Sequence, residues 1–118
     1  MPVSRGDVVM AFYPFASDPH GKRRPALVIQ NDRDNARLQN TVIAQITSNL
    51  RRVGDPSHVL IEVTKPDGRQ SGLLHDSVVS CNNLVTVRQD RIDSVIGSLS
   101  AALMQQVNNA LRAALAIP

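Results

Sequence analysis

The segment Thr41-Val42-Ile43-Ala44-Gln45-Ile46-Thr47 carries the clearest structural signal in this chain. Its β-branched and apolar residues are typical of a buried β-strand. Similar short runs lie on both sides of it, and segments rich in turn-forming residues separate them. Many short strands at this spacing predict an antiparallel barrel or sandwich. The predicted strands are residues 8–13, 26–30, 41–47, 59–63, 73–80, 84–87 and 92–96, with turns over 14–25, 31–40, 49–57 and 65–71.

The C-terminal segment has a different pattern. Ser100 is a favourable helix N-cap, and neither Gly nor Pro occurs over residues 101–115. Apolar residues recur there at helical spacing, which predicts an amphipathic helix packed on the sheet: Leu103, Val107, Ala110, Leu111 and Ala114. A shorter helical turn is expected within residues 32–38. The predicted class is α+β, a small, strongly bent sheet with one terminal helix.

Length and composition predict one globular domain over residues 1–118. No repeat, low-complexity stretch or linker divides the chain. It contains no apolar run of membrane-spanning length, and residues 1–7 carry no apolar signal-peptide core. The single cysteine, Cys81, offers neither an internal disulfide nor a cysteine metal site. We therefore expect a cytoplasmic protein without membrane contact.

Charge indicates the class of partner. The chain has 13 basic and 10 acidic residues, and the basic ones are mostly arginine. Arginine can hold a phosphate with two parallel hydrogen bonds, so a small arginine-rich domain suits a polyanion such as nucleic acid. A net charge of +3 is equally compatible with a role in solubility alone.

The segment 18–25 ends in three consecutive cations, Lys22, Arg23 and Arg24, followed by Pro25 and an apolar strand. The proline favours an extended conformation at Arg24, which would hold that side chain at the mouth of a strand. Such placement suits a phosphate ligand, whereas cations on a loop can also simply keep an edge strand soluble. The residues alone favour the solubilising role for Lys22 and Arg23 and leave both roles open for Arg24.

Polar residues also follow the strand quoted above. Thr47, Ser48 and Asn49 end it, and Arg51 and Arg52 come next. Hydroxyl groups at a strand end can satisfy the backbone of the turn, or they can bind a phosphate oxygen or a ribose hydroxyl. Because Thr47 ends the apolar alternation, we expect it at the rim of the sheet.

The three histidines do not indicate an acid–base pair or a metal site. His75 and Asp76 are adjacent on a predicted strand, so their side chains should point to opposite faces, and a plain strand is favoured over an acid–base pair. The other two histidines, His20 and His58, are remote in sequence, and the spacing of the three matches no zinc motif. No phosphate-loop or dinucleotide fingerprint is present. We therefore expect neither a metal nor a cofactor.

Taken in order, several segments resemble the MazF/PemK toxins. They are Arg-Gly-Asp-Val at 5–8, Arg-Arg-Pro-Ala-Leu-Val-Ile-Gln-Asn-Asp at 23–32, Thr-Val-Ile-Ala-Gln-Ile-Thr-Ser at 41–48, Asp-Pro-Ser-His-Val at 55–59, Gly-Leu-Leu-His-Asp-Ser-Val-Val at 72–79 and Asn-Leu-Val-Thr-Val-Arg-Gln-Asp-Arg-Ile at 83–92. The resemblance covers almost the whole chain. It implies a small SH3-like antiparallel β-barrel with a C-terminal helix, and a homodimer that binds RNA along a shared groove.

The resemblance also implies an activity. Relatives cleave single-stranded RNA by attack of a ribose 2′-hydroxyl on the adjacent phosphate, which leaves a cyclic phosphate and a 5′-hydroxyl. Arg24 and Thr47 match the catalytic arginine and threonine of the branch that this sequence most resembles. The remaining polar residues of both segments are expected to bind RNA: His20, Lys22, Arg23, Ser48, Asn49, Arg51 and Arg52. The expected protein partner is an antitoxin whose acidic segment folds on binding across 22–24 and 49–52.

One departure from the family concerns the strand around residues 77–81. Many relatives carry an arginine there, and this chain has Val78, Val79, Ser80 and Cys81. Activity would therefore depend on Arg24 and Thr47. The group that accepts the 2′-hydroxyl proton stays open, with His20 as one candidate.

Two other functions remain open at this point. One is a CcdB-like toxin that binds DNA gyrase through its C-terminal helix, and the other is an inactive RNA-binding barrel. The Arg24–Thr47 pair favours the ribonuclease, because a gyrase-binding protein needs no such pair.

Overall fold

The computed structural model describes the backbone of residues 2–15 and 18–118 and the side chains of residues 2–12 and 22–118. It contains six strands and three α-helices. The strands are β1 (Asp7–Phe15), β2 (Asp18–Val28), β3 (Asn40–Thr47), β4 (His58–Ile61), β5 (Ser77–Arg88) and β6 (Ile92–Ser98). The helices are α1 (Asp32–Arg37), α2 (Pro66–Gln70) and α3 (Ala101–Leu115), and single 3₁₀ turns cover Leu50–Arg52 and Gln89–Arg91.

All six strands belong to one antiparallel sheet in the order β4-β5-β3-β2-β1-β6. Within the described residues no ladder joins β4 to β6, so the sheet is open. It is nevertheless curled, because Val8 of β1 and Val59 of β4 pack in the same core cluster although three strands lie between theirs. The expected α+β fold with a small, bent antiparallel sheet is therefore confirmed.

Helix α3 closes one side of this core. Its N-cap is Ser100, whose Oγ accepts a hydrogen bond from the backbone N–H of Leu103 at 3.2 Å. Leu103, Val107 and Ala110 are buried against the sheet, and two partly buried residues complete the stripe, Leu111 and Ala114. The predicted terminal helix and its apolar face are confirmed. The expected short helix after β2 is also present as α1.

The segment 14–25 was expected to be a loop, and that expectation is wrong for its described part. β2 begins at Asp18 and pairs with β1, so that Arg23 lies opposite Phe12 and Arg24 opposite Ala11. Pairing with the long first strand outweighs the turn-forming residues Pro19 and Gly21. Arg24 therefore stands within a strand, and its backbone is extended as Pro25 predicts.

Other element boundaries also differ from prediction. Residues 73–76 precede β5 rather than belonging to a strand, because Asp76 is engaged elsewhere: its Oδ1 accepts the N–H of Val63 at 2.8 Å. From Ser77 strand β5 extends to Arg88 and joins two segments that were predicted separately, and its register against β3 shifts between Ser80 and Leu84. The predicted turn over 65–71 contains the short helix α2, which begins at Pro66, a residue favoured in the first helical turn.

The ladder between β2 and β3 ends near Pro25. The last pair is Ala26 with Gln45. Pro25, the adjoining residue of β2, has no N–H group and cannot donate a hydrogen bond to prolong the ladder. Two residues beyond the last pair, the strands carry Arg24 and Thr47. The fold thus places both residues just beyond the point where β2 and β3 stop pairing with each other.

Candidate active site

A cavity of about 460 Å³ lies where β2 and β3 stop pairing. The segment before β5 forms another part of its wall. The lining combines one guanidinium, one imidazole, three hydroxyl groups and one amide with several apolar side chains. Its residues are Met10, Arg24, Pro25, Gln45, Ile46, Thr47, Ser48, Gly72, Leu73, Leu74, His75, Ser77 and Ile96.

Arg24 contributes the one positively charged side chain of this wall among the described residues. It is exposed and projects from a strand that is paired with β1. Because the strand fixes its backbone, the side chain starts from a defined point of the cavity wall. The planar guanidinium group suits bidentate contact with a phosphate.

Thr47 is the last residue of β3 and is half-buried. Its Oγ1 accepts a hydrogen bond from the N–H of Asn49 at 3.1 Å, which holds the side chain at the start of the turn. Since that bond uses a lone pair of the oxygen, the hydroxyl proton can still be donated. Ser48, which is exposed, adds a second hydroxyl to the same wall.

The other cations predicted for this site lie outside the cavity wall. Lys22 and Arg23 are exposed on β2, and Arg23 forms an ion pair with Asp93 of β6. Arg51 and Arg52 are exposed on the 3₁₀ turn that follows Ser48. None of these four side chains lines the cavity.

Asn49 has a structural role that the sequence analysis did not assign. Its Oδ1 accepts the N–H of Arg51 at 3.0 Å and thereby caps the 3₁₀ turn. Arg52 lies 3.8 Å from a carboxylate oxygen of Asp55, a distance typical of a loose surface ion pair. The remaining predicted residue, His20, has a side chain that lies outside the described residues.

His75 lines the cavity, although the sequence analysis favoured a plain strand at this position. It lies on a bend before β5, whereas the neighbouring Asp76 binds the backbone of Val63. The two side chains therefore do not form an acid–base pair. This agrees with the prediction from their adjacency in the sequence. Gly72, three residues earlier, has a φ of +75°, and a glycine of this kind is a signal that could have indicated a bend instead of a strand.

The strand positions at which the resemblance implied an arginine are buried here. Val78, Val79 and Cys81 are fully buried, and Ser80 is nearly so. Burial raises the pKa of the Cys81 thiol to about 11, which keeps it protonated and unreactive at neutral pH. These residues support the sheet and contribute no charged group to the cavity.

The described part of the chain contains no group of three or more His, Cys, Asp and Glu side chains placed to hold a metal ion. None of its helices has the length and apolar character needed to span a membrane.

Comparison with known proteins identifies the family. The model of the PemK-like, MazF-like toxins of type II toxin–antitoxin systems matches residues 4–115. The chain is 34% identical over 118 residues to the endoribonuclease EndoA of Bacillus subtilis, covering 99% of this chain and 97% of that protein. It is 36% identical over 115 residues to the endoribonuclease MazF6 of Mycobacterium tuberculosis, covering 95% and 96% of the two chains.

The fold agrees with this assignment. A solved mycobacterial endoribonuclease, in complex with its cognate antitoxin, superposes with a TM-score of 0.79 at 24% identity and covers 98% of this chain and 97% of that one. Family match, sequence identity over nearly the full length and shared architecture lead to the same conclusion: the chain belongs to the PemK-like, MazF-like toxins of type II toxin–antitoxin systems.

Proposed function

We propose that this toxin is a sequence-selective, metal-independent endoribonuclease that cleaves single-stranded RNA, including mRNA, in the cavity between β2 and β3, and so inhibits translation and growth. The observation that carries the proposal is the presence of Arg24 and Thr47 in one cavity wall, each two residues beyond the same ladder pair. The relatives named above as endoribonucleases support the reaction class.

The side chains suit a transphosphorylation. The ribose 2′-oxygen attacks the adjacent phosphorus. The reaction then passes through a phosphorane that carries additional negative charge. The guanidinium of Arg24 stabilises that charge, and the hydroxyl of Thr47 donates a hydrogen bond to a phosphoryl oxygen. The P–O5′ bond then breaks and leaves a 2′,3′-cyclic phosphate and a 5′-hydroxyl. Because protein groups supply the positive charge and the hydrogen bond, this step requires no metal ion.

The exposed cations around the cavity bind the neighbouring phosphates of the RNA. Lys22, Arg51 and Arg52 are all exposed, so they can reach a flexible strand. Arg23 is held by Asp93 in an exposed ion pair, and such a pair is weak enough to exchange for a phosphate. The bound segment is single-stranded, because the 2′-oxygen must swing into line with the P–O5′ bond.

The cellular setting follows from family membership and from charge. The partner is a cognate antitoxin, and the solved relative in complex with its antitoxin supports a partner of this kind. An acidic segment of the antitoxin covers the same cations, because opposite charges attract across such an interface. We place the toxin in the cytoplasm, where mRNA is found. It acts as a homodimer whose two copies extend the groove, and light scattering that shows only monomers at micromolar concentration would contradict this arrangement.

The test is incubation of the purified protein with mixed-sequence RNA in EDTA, followed by mapping of the cut ends. We expect cuts at a preferred sequence, cyclic phosphate ends and an unchanged rate on chelation. Loss of cleavage in EDTA with recovery in magnesium would contradict the metal-independent mechanism. Growth inhibition without any RNA cleavage would instead favour the gyrase-binding alternative.

A further inference from the structure

We propose that His75 accepts the proton that the attacking 2′-hydroxyl loses, an inference that rests on the proposed RNA cleavage. In this step the 2′-oxygen forms a bond to phosphorus while its proton moves to an imidazole nitrogen. The P–O5′ bond breaks, and the departing 5′-oxygen takes a proton from solvent. The imidazolium then returns its proton to solvent, with which the exposed His75 side chain is in contact.

The side chains of the cavity wall offer few groups that can accept a proton. Among the described residues that line the cavity, Arg24 and His75 are the two with ionisable basic side chains, and none is a carboxylate. A guanidinium stays protonated and has no lone pair to offer. The hydroxyl and amide groups of the wall are very weak bases. A neutral imidazole has a ring nitrogen with a lone pair that can accept a proton, so the role of proton acceptor falls to His75.

The same comparison separates acceptance from donation. A hydrogen bond to the departing 5′-oxygen could come from several groups of the wall, namely Arg24 and the hydroxyls of Thr47 and Ser48. A basic lone pair comes from one described side chain. Among the described residues of the cavity, therefore, His75 alone can act as the proton acceptor.

Two hydrogen bonds hold the backbone next to His75. Ser77 Oγ donates a hydrogen bond to the backbone carbonyl of His75 at 2.8 Å, and the Asp76 carboxylate accepts the N–H of Val63 at 2.8 Å. These two bonds fasten the bend on the C-terminal side of His75. An imidazole on a fastened bend can be presented reproducibly to a bound nucleotide. Arg24 lines the same cavity as His75, and Asp76 is its neighbour in the chain.

The experiment compares single-turnover cleavage by the wild type, His75→Gln and the control His58→Gln between about pH 5 and pH 9. His58 is a buried histidine outside the cavity, with Nδ1 3.8 Å from Asp55. We expect the wild-type rate to rise along a limb in the range of imidazole titration. His75→Gln should lose this limb and slow cleavage by about 10²- to 10⁴-fold, whereas His58→Gln should keep the limb. Added imidazole should restore part of the rate of His75→Ala.

Three results would overturn the inference. One is a wild-type limb and rate in folded His75→Gln. Another concerns the affinity of His75→Gln for uncleavable RNA that carries a 2′-O-methyl group at the cut site. If this affinity falls enough to account for the whole loss of rate, His75 only binds RNA. The third is rescue of His75→Gln by a substrate with a 5′-sulfur leaving group, which would make His75 a proton donor. A wild-type protein that does not cleave RNA would overturn the proposed function itself, so the two failures are distinguishable.

Discussion

Replacement of Arg24 by alanine tests the proposed chemistry most directly. The side chain is exposed, so truncation leaves no void in the core, and we expect thermal stability close to that of the wild type. Cleavage should nevertheless slow severely, because the transition state loses its one described charged ligand in the cavity wall. Loss of one preorganised donor costs about 3–4 kcal/mol, which corresponds to roughly a 10²- to 10³-fold lower rate.

The assay is single-turnover RNA cleavage with growth inhibition measured in parallel. Arg24→Lys should fail to restore the rate, because an ammonium group does not reproduce the paired donors of a guanidinium. The matched control is Arg88→Ala, which removes another exposed arginine from a strand. Arg88 pairs with Asp90 at 3.1 Å and does not line the cavity, so its loss should leave cleavage within a few-fold of wild type. A wild-type rate in folded Arg24→Ala would refute the assignment of this residue.

Local sequence signals predicted the elements whose stability is local or periodic. Ser100 caps α3 as its residue type predicts, and the apolar stripe of that helix is the face it buries. β3 was predicted within one residue of its observed start at Asn40, because its alternating apolar side chains match the pleat of a half-buried strand. The residues within α3 and within β3 were therefore sufficient to predict the conformation of these two elements.

The errors occur where another segment determines the conformation. Residues 18–25 contain turn-forming residues, and only the presence of β1 as a pairing partner makes them a strand. His75 was wrongly assigned to a strand. The bend before Ser77 depends on a hydrogen bond between Asp76 and the backbone of Val63, which the local sequence does not reveal. A hydrogen bond between residues far apart in sequence leaves no periodic trace.

The cavity itself combines both kinds of information. Pro25 is visible in the sequence, and its effect on the conformation of Arg24 was predicted correctly. Its second effect depends on β3 as a neighbour: without an N–H, Pro25 cannot prolong the ladder beyond Ala26, and the strands carry Arg24 and Thr47 past the last pair. Pro25 thus shapes the site in two ways. Its effect on the backbone of Arg24 can be predicted from the local sequence, whereas its effect on the β2–β3 ladder can be recognised only in the folded sheet.

Three further substitutions probe the site and its support. Thr47→Ala should slow single-turnover cleavage clearly but less than loss of the guanidinium, and Thr47→Ser should recover most of the rate because it restores the hydroxyl. Double replacement of Arg51 and Arg52 by alanine should weaken the binding of both RNA and antitoxin, more at low salt than at high salt, and unchanged affinities would exclude this turn from the site. Gly72→Ala should lower the free energy of unfolding, because a Cβ at its φ of +75° would lie 2.0 Å from a backbone carbonyl oxygen of β6. Its control is Gly54→Ala, which has a φ of +97° but nothing within 4 Å of an added Cβ and should cost only the backbone strain of about 1–2 kcal/mol. Urea denaturation measures both costs, and equal values would show that the close approach of Gly72 to β6 does not hold this part of the cavity wall in place.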